Sequence, residues 1–145
     1  MSMDINCFYC SKSEKLYELM IEICKLKVST VYLFKDQTYK GRCIVQFKDH
    51  KTELFQLTEE ERNTFFEDVA KVASALYKVF SPDKLNYAIL GDNLPHLHCN
   101  VIPKYKDNNF SELASNSEGN ENYGCNYENL LSHSSLTYHN KQAEH

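Results

Sequence analysis

Three polar side chains alternate with apolar ones in one short stretch of the chain. His96, His98 and Asn100 lie within residues 94–103, LPHLHCNVIP. Alternate side chains of a strand share a face, so these three project together. The residues that alternate with them face the other way, into the core: Leu97, Cys99 and Val101. A neutral imidazole is a good nucleophile near pH 7, because its unperturbed pKa is about 6.5. The row therefore indicates nucleophilic chemistry, and the alternative is an edge strand with two incidental histidines.

Two cysteines near the N-terminus have the spacing of metal ligands. Cys7 and Cys10 form a C-x-x-C pair, and two thiolates at this spacing can chelate one zinc ion. A pair is half of a site, and His50 and His96 are candidates for the other half. A redox role is the alternative, but the βαβ pattern of thioredoxin-like proteins does not follow the pair.

The remaining cysteines do not call for a disulfide framework. No secretion signal is visible at the N-terminus, so we expect a reducing, cytoplasmic compartment. Cys24, Cys43 and Cys99 fall in apolar stretches and are predicted to be buried thiols. Cys125 lies in a polar tail and is assigned no role, like three dispersed histidines there: His133, His139 and His145.

The hydrophobic pattern predicts an α+β fold. Apolar residues at helical spacing predict a helix over residues 12–26. Residues 28–34 and 43–47 are rich in β-branched and aromatic side chains, and predict two antiparallel strands. Thr58 and Glu61 form a capping box, which starts a long helix that ends near Phe80, before Pro82. The buried stripe of this helix is predicted to be Phe65, Val69, Val72, Leu76 and Val79. Two more strands follow, over residues 85–90 and 97–102.

Composition bounds the function. The chain has 145 residues with a formal charge of −4, which suits one soluble domain with a tail and makes nucleic-acid binding by charge alone improbable. The apolar runs are too short to span a bilayer. Residues 1–105 are predicted to form the domain. Residues 106–145 are predicted to be a polar, mostly irregular tail with a possible docking patch at 127–131.

The stretch around the histidines resembles the signature of the histidine triad (HIT) superfamily. His96, His98 and Asn100 match its three polar positions, and Pro103-Lys104 match its closing pair. Upstream, residues 32–36, 41–45, 49–50 and 57–61 are similar to further family segments in the same order. The resemblance covers residues 7–105. It implies a HIT-like fold, a twisted antiparallel sheet of about five strands with the long helix across it, and a homodimer.

The same resemblance implies roles for particular residues. The zinc-binding members of the superfamily are similar at Cys7, Cys10, His50 and His96, which implies a structural zinc site. Asp36 would bind ribose hydroxyls. The alternative, that Asp36 is an ordinary turn residue, has equal weight. Two further residues fall near the family's phosphate-binding turn, and a plain hairpin turn is the alternative: Gly91 and Asn93.

Asn100 stands where the family usually has its third histidine. The galactose-1-phosphate uridylyltransferase branch and related dinucleotide phosphorylases carry an amide there, so nucleotidyl transfer is compatible with it. The resemblance implies a nucleotide hydrolase in which His98 attacks an α-phosphorus and forms a nucleotidyl-histidine intermediate. Asn100 would donate an amide N–H to a phosphoryl oxygen. The alternatives are a nucleotidyltransferase or phosphorylase with the same intermediate, a zinc-stabilised nucleotide-binding module with little catalysis, and a purely structural zinc domain.

Overall fold

The structure, a computed structural model, describes residues 3–106. It contains two short N-terminal helices, α1 (Phe8–Ser11) and α2 (Glu14–Leu19), one 3-10 turn (Leu54–Gln56) and one long helix, α3 (Glu59–Phe80). The strands are β1 (Met20–Lys25), β2 (Ser29–Phe34), β3 (Cys43–Phe47), β4 (Lys84–Ala88) and β5 (His98–Lys104). The predicted tail, its docking patch and Cys125 lie outside the described residues. No helix within residues 3–106 has the length and apolar character that crossing a bilayer requires.

The five strands form one antiparallel sheet in the order β1-β2-β3-β5-β4. The α+β fold predicted from the sequence is therefore confirmed. β5 lies between β3 and β4, and Asn100 stands opposite Ile44 while His98 stands opposite Gln46. The strand that carries His98 and Asn100 therefore lies in the interior of the sheet and is not an edge strand. β3 pairs with both residues, and β4 pairs with Asn100.

The long helix begins and ends where the sequence predicts. The Thr58 side chain accepts from the Glu61 backbone N–H, and the Glu61 carboxylate accepts from the Thr58 N–H. At the other end Ser81 adopts a left-handed conformation with φ 48°. Four predicted stripe residues are buried and Val79 is partly buried against the same core. This face of α3 covers one side of the sheet. It packs there in one core with the three apolar residues that alternate with the histidine row: Leu97, Cys99 and Val101.

The predicted helix over residues 12–26 is wrong in its second half. Residues 14–19 are helical, but Met20–Lys25 form β1, paired with β2 through a tight turn. The ladder shifts register between Glu22 and Cys24, and this bulge buries Ile23 and Cys24 together. The extra residue breaks the strict alternation of a strand, so the apolar spacing resembled that of a helix.

The two sheet faces carry different cores. Ile23 and Leu26 pack with α3, whereas Leu16 and Met20 pack on the opposite face. On that opposite face α1 and α2 contribute a small cluster around Tyr9. The N-terminal segment therefore covers the face on which His98 and Asn100 project, and it forms one wall of the site.

Candidate functional site

His98 is the first residue of β5, and its imidazole is oriented by the backbone. Its Nδ1 lies 2.6 Å from the backbone oxygen of His96. A carbonyl oxygen only accepts, so Nδ1 carries the proton and donates it. The neutral ring then keeps the lone pair on Nε2, for which the described residues supply no hydrogen-bond donor. This is the tautomer that a nucleophilic imidazole needs.

The surroundings of His98 keep the ring neutral. Burial lowers its pKa below the usual value, the hydrogen bond to His96 raises it, and the positive charge of Arg42 lowers it again. The pKa is below its ordinary range after all three effects. At neutral pH the imidazole is therefore uncharged and able to attack an electrophile.

The His98 side chain opens into a cleft of about 1000 Å³. The cleft extends between the N-terminal segment, the ends of β2 and β3, and the loop before β5. The Tyr9 ring stands 5.6 Å from the His98 ring, centre to centre. Polar groups reach the cleft from several elements, including Arg42, Asn93 and Asn100. The combination of a large mixed cleft and one oriented imidazole suits a ligand with both apolar and anionic parts.

Arg42 is a cleft residue to which the sequence analysis gave no role. Its Nη2 donates to the Oδ1 of Asn100 at 3.0 Å, and its guanidinium carbon lies 4.3 Å from the centre of the Phe34 ring. Burial lowers its pKa, but an arginine remains charged at neutral pH. The sequence signal is the position of Arg42 between Gly41 and the first residue of the core strand β3. A charged side chain at the start of a buried strand faces either solvent or a binding site.

Asn100 is oriented by two neighbours. Its Oδ1 accepts from Arg42, and its Nδ2 donates to the Ala88 oxygen at 3.4 Å. The residue is buried and lines the cleft. The amide thus links the histidine row to a cation, and one of its two N–H groups is left for a ligand.

Four residues that the sequence analysis placed in one metal site do come together. The ligand atoms of Cys7, Cys10, His50 and His96 all lie within 4.8 Å of one another. The His96 Nδ1 is 3.3 Å from the Cys7 Sγ and 3.5 Å from the Cys10 Sγ. The His50 Nδ1 is 3.5 Å from the Cys10 Sγ. Two cysteines and two histidines are a donor set that can hold a metal ion.

The outer nitrogens of both histidines fit this role. The His96 Nε2 lies 2.7 Å from the Phe47 backbone oxygen and 2.8 Å from the side-chain nitrogen of Gln46. In the tautomer that donates from Nε2 to the Phe47 oxygen, Nδ1 is unprotonated and directed at the two thiols. The His50 Nε2 lies 3.8 Å from a carboxylate oxygen of Asp4. Partners of this kind fix the tautomer and the ring orientation of metal-binding histidines.

The charges in the cluster also suit a cation. Burial raises the pKa of Cys10, with a further contribution from Cys7, and burial lowers the pKa of His96. Two nearby thiolates are therefore costly without a positive charge between them, whereas a neutral His96 is ready to bind one.

The three predicted nucleotide contacts differ in their positions. Asn93 lines the cleft, and Gly91 lies two residues before it with open space around its α-carbon. Asp36 is exposed, and its Oδ1 accepts from both the backbone N–H and the hydroxyl of Thr38. The structure thus places Asn93 in the same cleft as His98 and Asp36 in a polar turn outside the cleft wall.

Comparisons with known proteins agree with this architecture. The Bacillus subtilis "Protein hit" is 29% identical over 111 residues, which cover 69% of this chain and 72% of that protein. A bis(5'-adenosyl)-triphosphatase of Saccharomyces cerevisiae is 31% identical over 75 residues, and the match covers 48% of this chain and 36% of that enzyme. The chain therefore spans little more than a third of this relative.

A solved structure and a family model complete the comparison. A histidine triad protein of Bradyrhizobium japonicum superposes with a TM-score of 0.61 and 28% identity, over 66% of this chain and 71% of that one. The family model described as the HIT domain matches residues 22–107, more than half of the chain. The chain belongs to the histidine triad (HIT) family.

Proposed function

We propose that the chain is a nucleotide hydrolase of the histidine triad type. It cleaves a nucleoside monophosphate from a leaving group through a nucleotidyl-histidine intermediate on His98. The observation that carries the proposal is the 2.6 Å contact between the His98 Nδ1 and the His96 oxygen, because it leaves the Nε2 lone pair in a cleft of nucleotide size. The yeast relative is a bis(5'-adenosyl)-triphosphatase, and its name supports the same class of substrate.

The reaction has two displacements. The His98 Nε2 attacks the α-phosphorus, a P–N bond forms, and the leaving group departs with the electron pair of its bond to phosphorus. Water then attacks the same phosphorus, the P–N bond breaks, and the water proton passes to the solvent as the nucleoside monophosphate leaves. A covalent intermediate divides one difficult displacement into two easier ones. Asn100, in the position where the family usually has a third histidine, supplies an amide N–H for a phosphoryl oxygen.

Zinc is the metal that best suits Cys7, Cys10, His50 and His96, because two thiolates and two imidazoles form a closed structural site. When bound, zinc supplies a cross-link and no chemistry. The four side chains tie α1 to the loop before β5, two residues from His98. They also hold Tyr9, between the two cysteines, against the His98 ring. Residues 1–105, which contain all candidate site residues, form the catalytic domain in this proposal.

The nucleotide contacts of Asp36, Gly91 and Asn93 stay predictions. Asn93 has the best support, because it lines the cleft. Asp36 must release one or both contacts to Thr38 to bind ribose hydroxyls, so Asp36→Ala is expected to raise KM and leave kcat within about threefold. An unchanged KM would assign Asp36 to its turn alone.

A homodimer is also part of the proposal. β4 is an end strand of the described sheet. Three exposed apolar side chains of α3, β4 and the segment after β4 line one shallow pocket: Phe66, Tyr87 and Ile89. Patches of this kind are typical of protein interfaces. Light scattering after size-exclusion chromatography is expected to give the mass of two chains, and Tyr87→Glu the mass of one.

The function is tested on the full chain with a panel of nucleotides that includes diadenosine triphosphate. Release of a nucleoside monophosphate by the wild type, and its loss in His98→Ala, is the expected result. A second nucleoside diphosphate in place of the monophosphate, formed only in phosphate buffer, would instead show a phosphorylase. The second candidate, a binding module, is favoured by the lack of a titratable proton on Asn100. It predicts that nucleotides raise the melting temperature without any turnover.

A further inference from the structure

Arg42 is held by two side chains from different strands. Its Nη2 donates to Asn100 on β5 at 3.0 Å, and its guanidinium packs on the ring of Phe34 at the end of β2, 4.3 Å from the ring centre. A planar guanidinium fixed on one edge and one face has a defined direction. The fold therefore sets the position of this charge before any ligand arrives.

The charge of Arg42 has no counter-ion in the described part of the chain. The ion pairs Lys12–Glu22 and His50–Asp4 do not involve it. Asp36 is the carboxylate that acts on Arg42 from a longer distance. The buried Nε of Arg42 has no hydrogen-bond partner among residues 3–106. A half-buried cation with an unused donor costs free energy, and an anion in the cleft removes that cost.

Arg42 and His98 face the same ligand space. Both line the cleft, and the Asn100 that holds Arg42 follows His98 by two residues on one face of β5, about 7 Å along the strand. A substrate with its α-phosphorus at His98 and its phosphate chain directed along β5 toward Asn100 would bring the next phosphate to the guanidinium.

Resting on the proposed function, we infer that Arg42 binds the phosphate group that leaves when His98 attacks. Asn100, whose amide N–H is proposed to contact a phosphoryl oxygen, also aims the guanidinium through its Oδ1. The substrate class is accordingly a nucleotide joined to a phosphate chain, such as a dinucleoside polyphosphate, and not a nucleotide joined to an amine.

The chemistry of the leaving group supports this choice. When a phosphoanhydride P–O bond breaks, the electron pair goes to an oxygen that is stable as an anion, and a fixed cation stabilises the negative charge. When a P–N bond to an amine breaks, the departing nitrogen must receive a proton. Arg42 stays protonated and Asn100 has no titratable proton, so this pair stabilises an anion but does not act as a general acid.

Two substrates with the same nucleoside test the inference: diadenosine triphosphate and adenosine 5'-phosphoramidate. The wild type is expected to prefer the triphosphate. Arg42→Met is expected to lower kcat/KM for the triphosphate about 100-fold, the usual cost of losing one donor to a developing anion. The phosphoramidate value is expected to change less than about threefold. Arg42→Lys keeps the positive charge but lacks the forked donors of a guanidinium. Its kcat/KM for the triphosphate is expected to lie between the values for the wild type and Arg42→Met.

The variant Asn100→Asp distinguishes a role of Asn100 in placing the charge of Arg42 from a role in packing alone. The aspartate has the size of asparagine and can still hold Arg42, but its charge cancels that of the guanidinium. Triphosphate turnover is expected to fall as in Arg42→Met, with kcat affected more than KM, while the melting temperature stays within a few degrees. Lys40→Met is the matched control, because it removes an exposed lysine outside the cleft and is expected to change neither substrate.

The outcomes separate the inference from the function. Equal losses for both substrates in Arg42→Met and Arg42→Lys, or no loss in either, would overturn the role of Arg42 while turnover through His98 stands. A wild-type preference for the phosphoramidate would overturn the substrate class. Absence of turnover with both substrates, and of any His98 adduct, would refute the proposed function itself.

Discussion

The Nδ1 of His98 is 2.6 Å from the backbone oxygen of His96, a residue whose own Nδ1 points at Cys7 and Cys10. The backbone of His96 thus orients the proposed nucleophile, while its side chain belongs to the Cys/His cluster that could hold a metal ion. The proposed nucleophile and a residue of the Cys/His cluster therefore lie only two positions apart in the chain. This relationship joins the zinc proposal to the catalytic proposal, because displacement of His96 would move the acceptor that fixes the His98 tautomer.

Removal of the His98 ring tests its role as nucleophile. His98→Gly is expected to reduce turnover at least about 1000-fold, because no other described group offers an oriented nucleophile. The variant leaves a cavity of imidazole size, so added imidazole is expected to restore part of the turnover. Steady-state rates with and without imidazole measure this. Wild type under the same conditions is the control, and substantial activity in His98→Gly without imidazole would rule out His98.

Removal of the metal tests the structural site. We expect about one zinc per chain by elemental analysis, and a melting temperature that falls by at least about 10 °C after chelation, since binding free energy at a structural site is folding free energy. Cys10→Ser is expected to lose zinc and show the same fall. Cys125→Ser is the matched thiol control and should retain both. A zinc-free protein with an unchanged melting curve would contradict the four-residue site.

Gly41 is predicted to tolerate no side chain. Its φ is +92°, and a Cβ there would lie 2.7 Å from the Cδ2 of Phe80. Gly41→Ala is therefore expected to lower the free energy of unfolding by about 1–3 kcal/mol, measured by urea denaturation. Gly91→Ala is the matched control, because a Cβ at Gly91 meets nothing within 4 Å. Equal stability of the two variants would contradict the close packing of Gly41 on Phe80.

The capping box of α3 is predicted to stabilise the domain without affecting the site. Thr58→Ala is expected to cost about 1 kcal/mol of unfolding free energy. Thr64→Ala, in the same helix but away from the cap, is expected to be neutral, because alanine has the higher helix propensity. Turnover by both variants is expected to match wild type at 25 °C. A neutral Thr58→Ala would show that the cap contributes nothing measurable.

The cap also predicts a dependence on pH. The Thr58 backbone N–H holds the pKa of Glu61 below its usual value. A depressed pKa means that the unfolded chain binds the proton more tightly, so this contribution is present above the unfolded pKa and is lost as pH falls through the folded one. Glu61→Gln is therefore expected to be less stable than wild type at pH 7, with the difference shrinking toward pH 3. A difference that grows on acidification would contradict the sign.

The sequence pattern predicted the parts of this fold in which one residue type has one physical consequence. The Thr58–Glu61 box and Pro82 bounded α3, and strict alternation assigned both faces of β5. The four candidate metal ligands are recognised from the sequence because a C-x-x-C pair and histidines have few common roles together. These features are local, or depend on residue types with specific chemistry.

Other features depend on tertiary contacts that a pattern does not contain. The strand Met20–Lys25 was predicted as helix because its bulge mimics helical spacing and its stability comes from pairing with β2. Arg42 was assigned no role because its meaning lies in the contact with Asn100, 58 positions away. The ribose role of Asp36 rests on family resemblance, and its carboxylate is engaged with Thr38 in the structure.

Covalent catalysis by His98 is tested most directly by intact-protein mass spectrometry after brief incubation with diadenosine triphosphate, quenched without acid. Wild type and His98→Ala are compared, and released nucleotide is followed in parallel. The mass of the wild type is expected to increase by one covalently bound adenosine monophosphate group. This group is expected to be located on His98 and to be absent from the variant. An equal adduct on His98→Ala, or monophosphate release by that variant at the wild-type rate, would contradict covalent catalysis by His98.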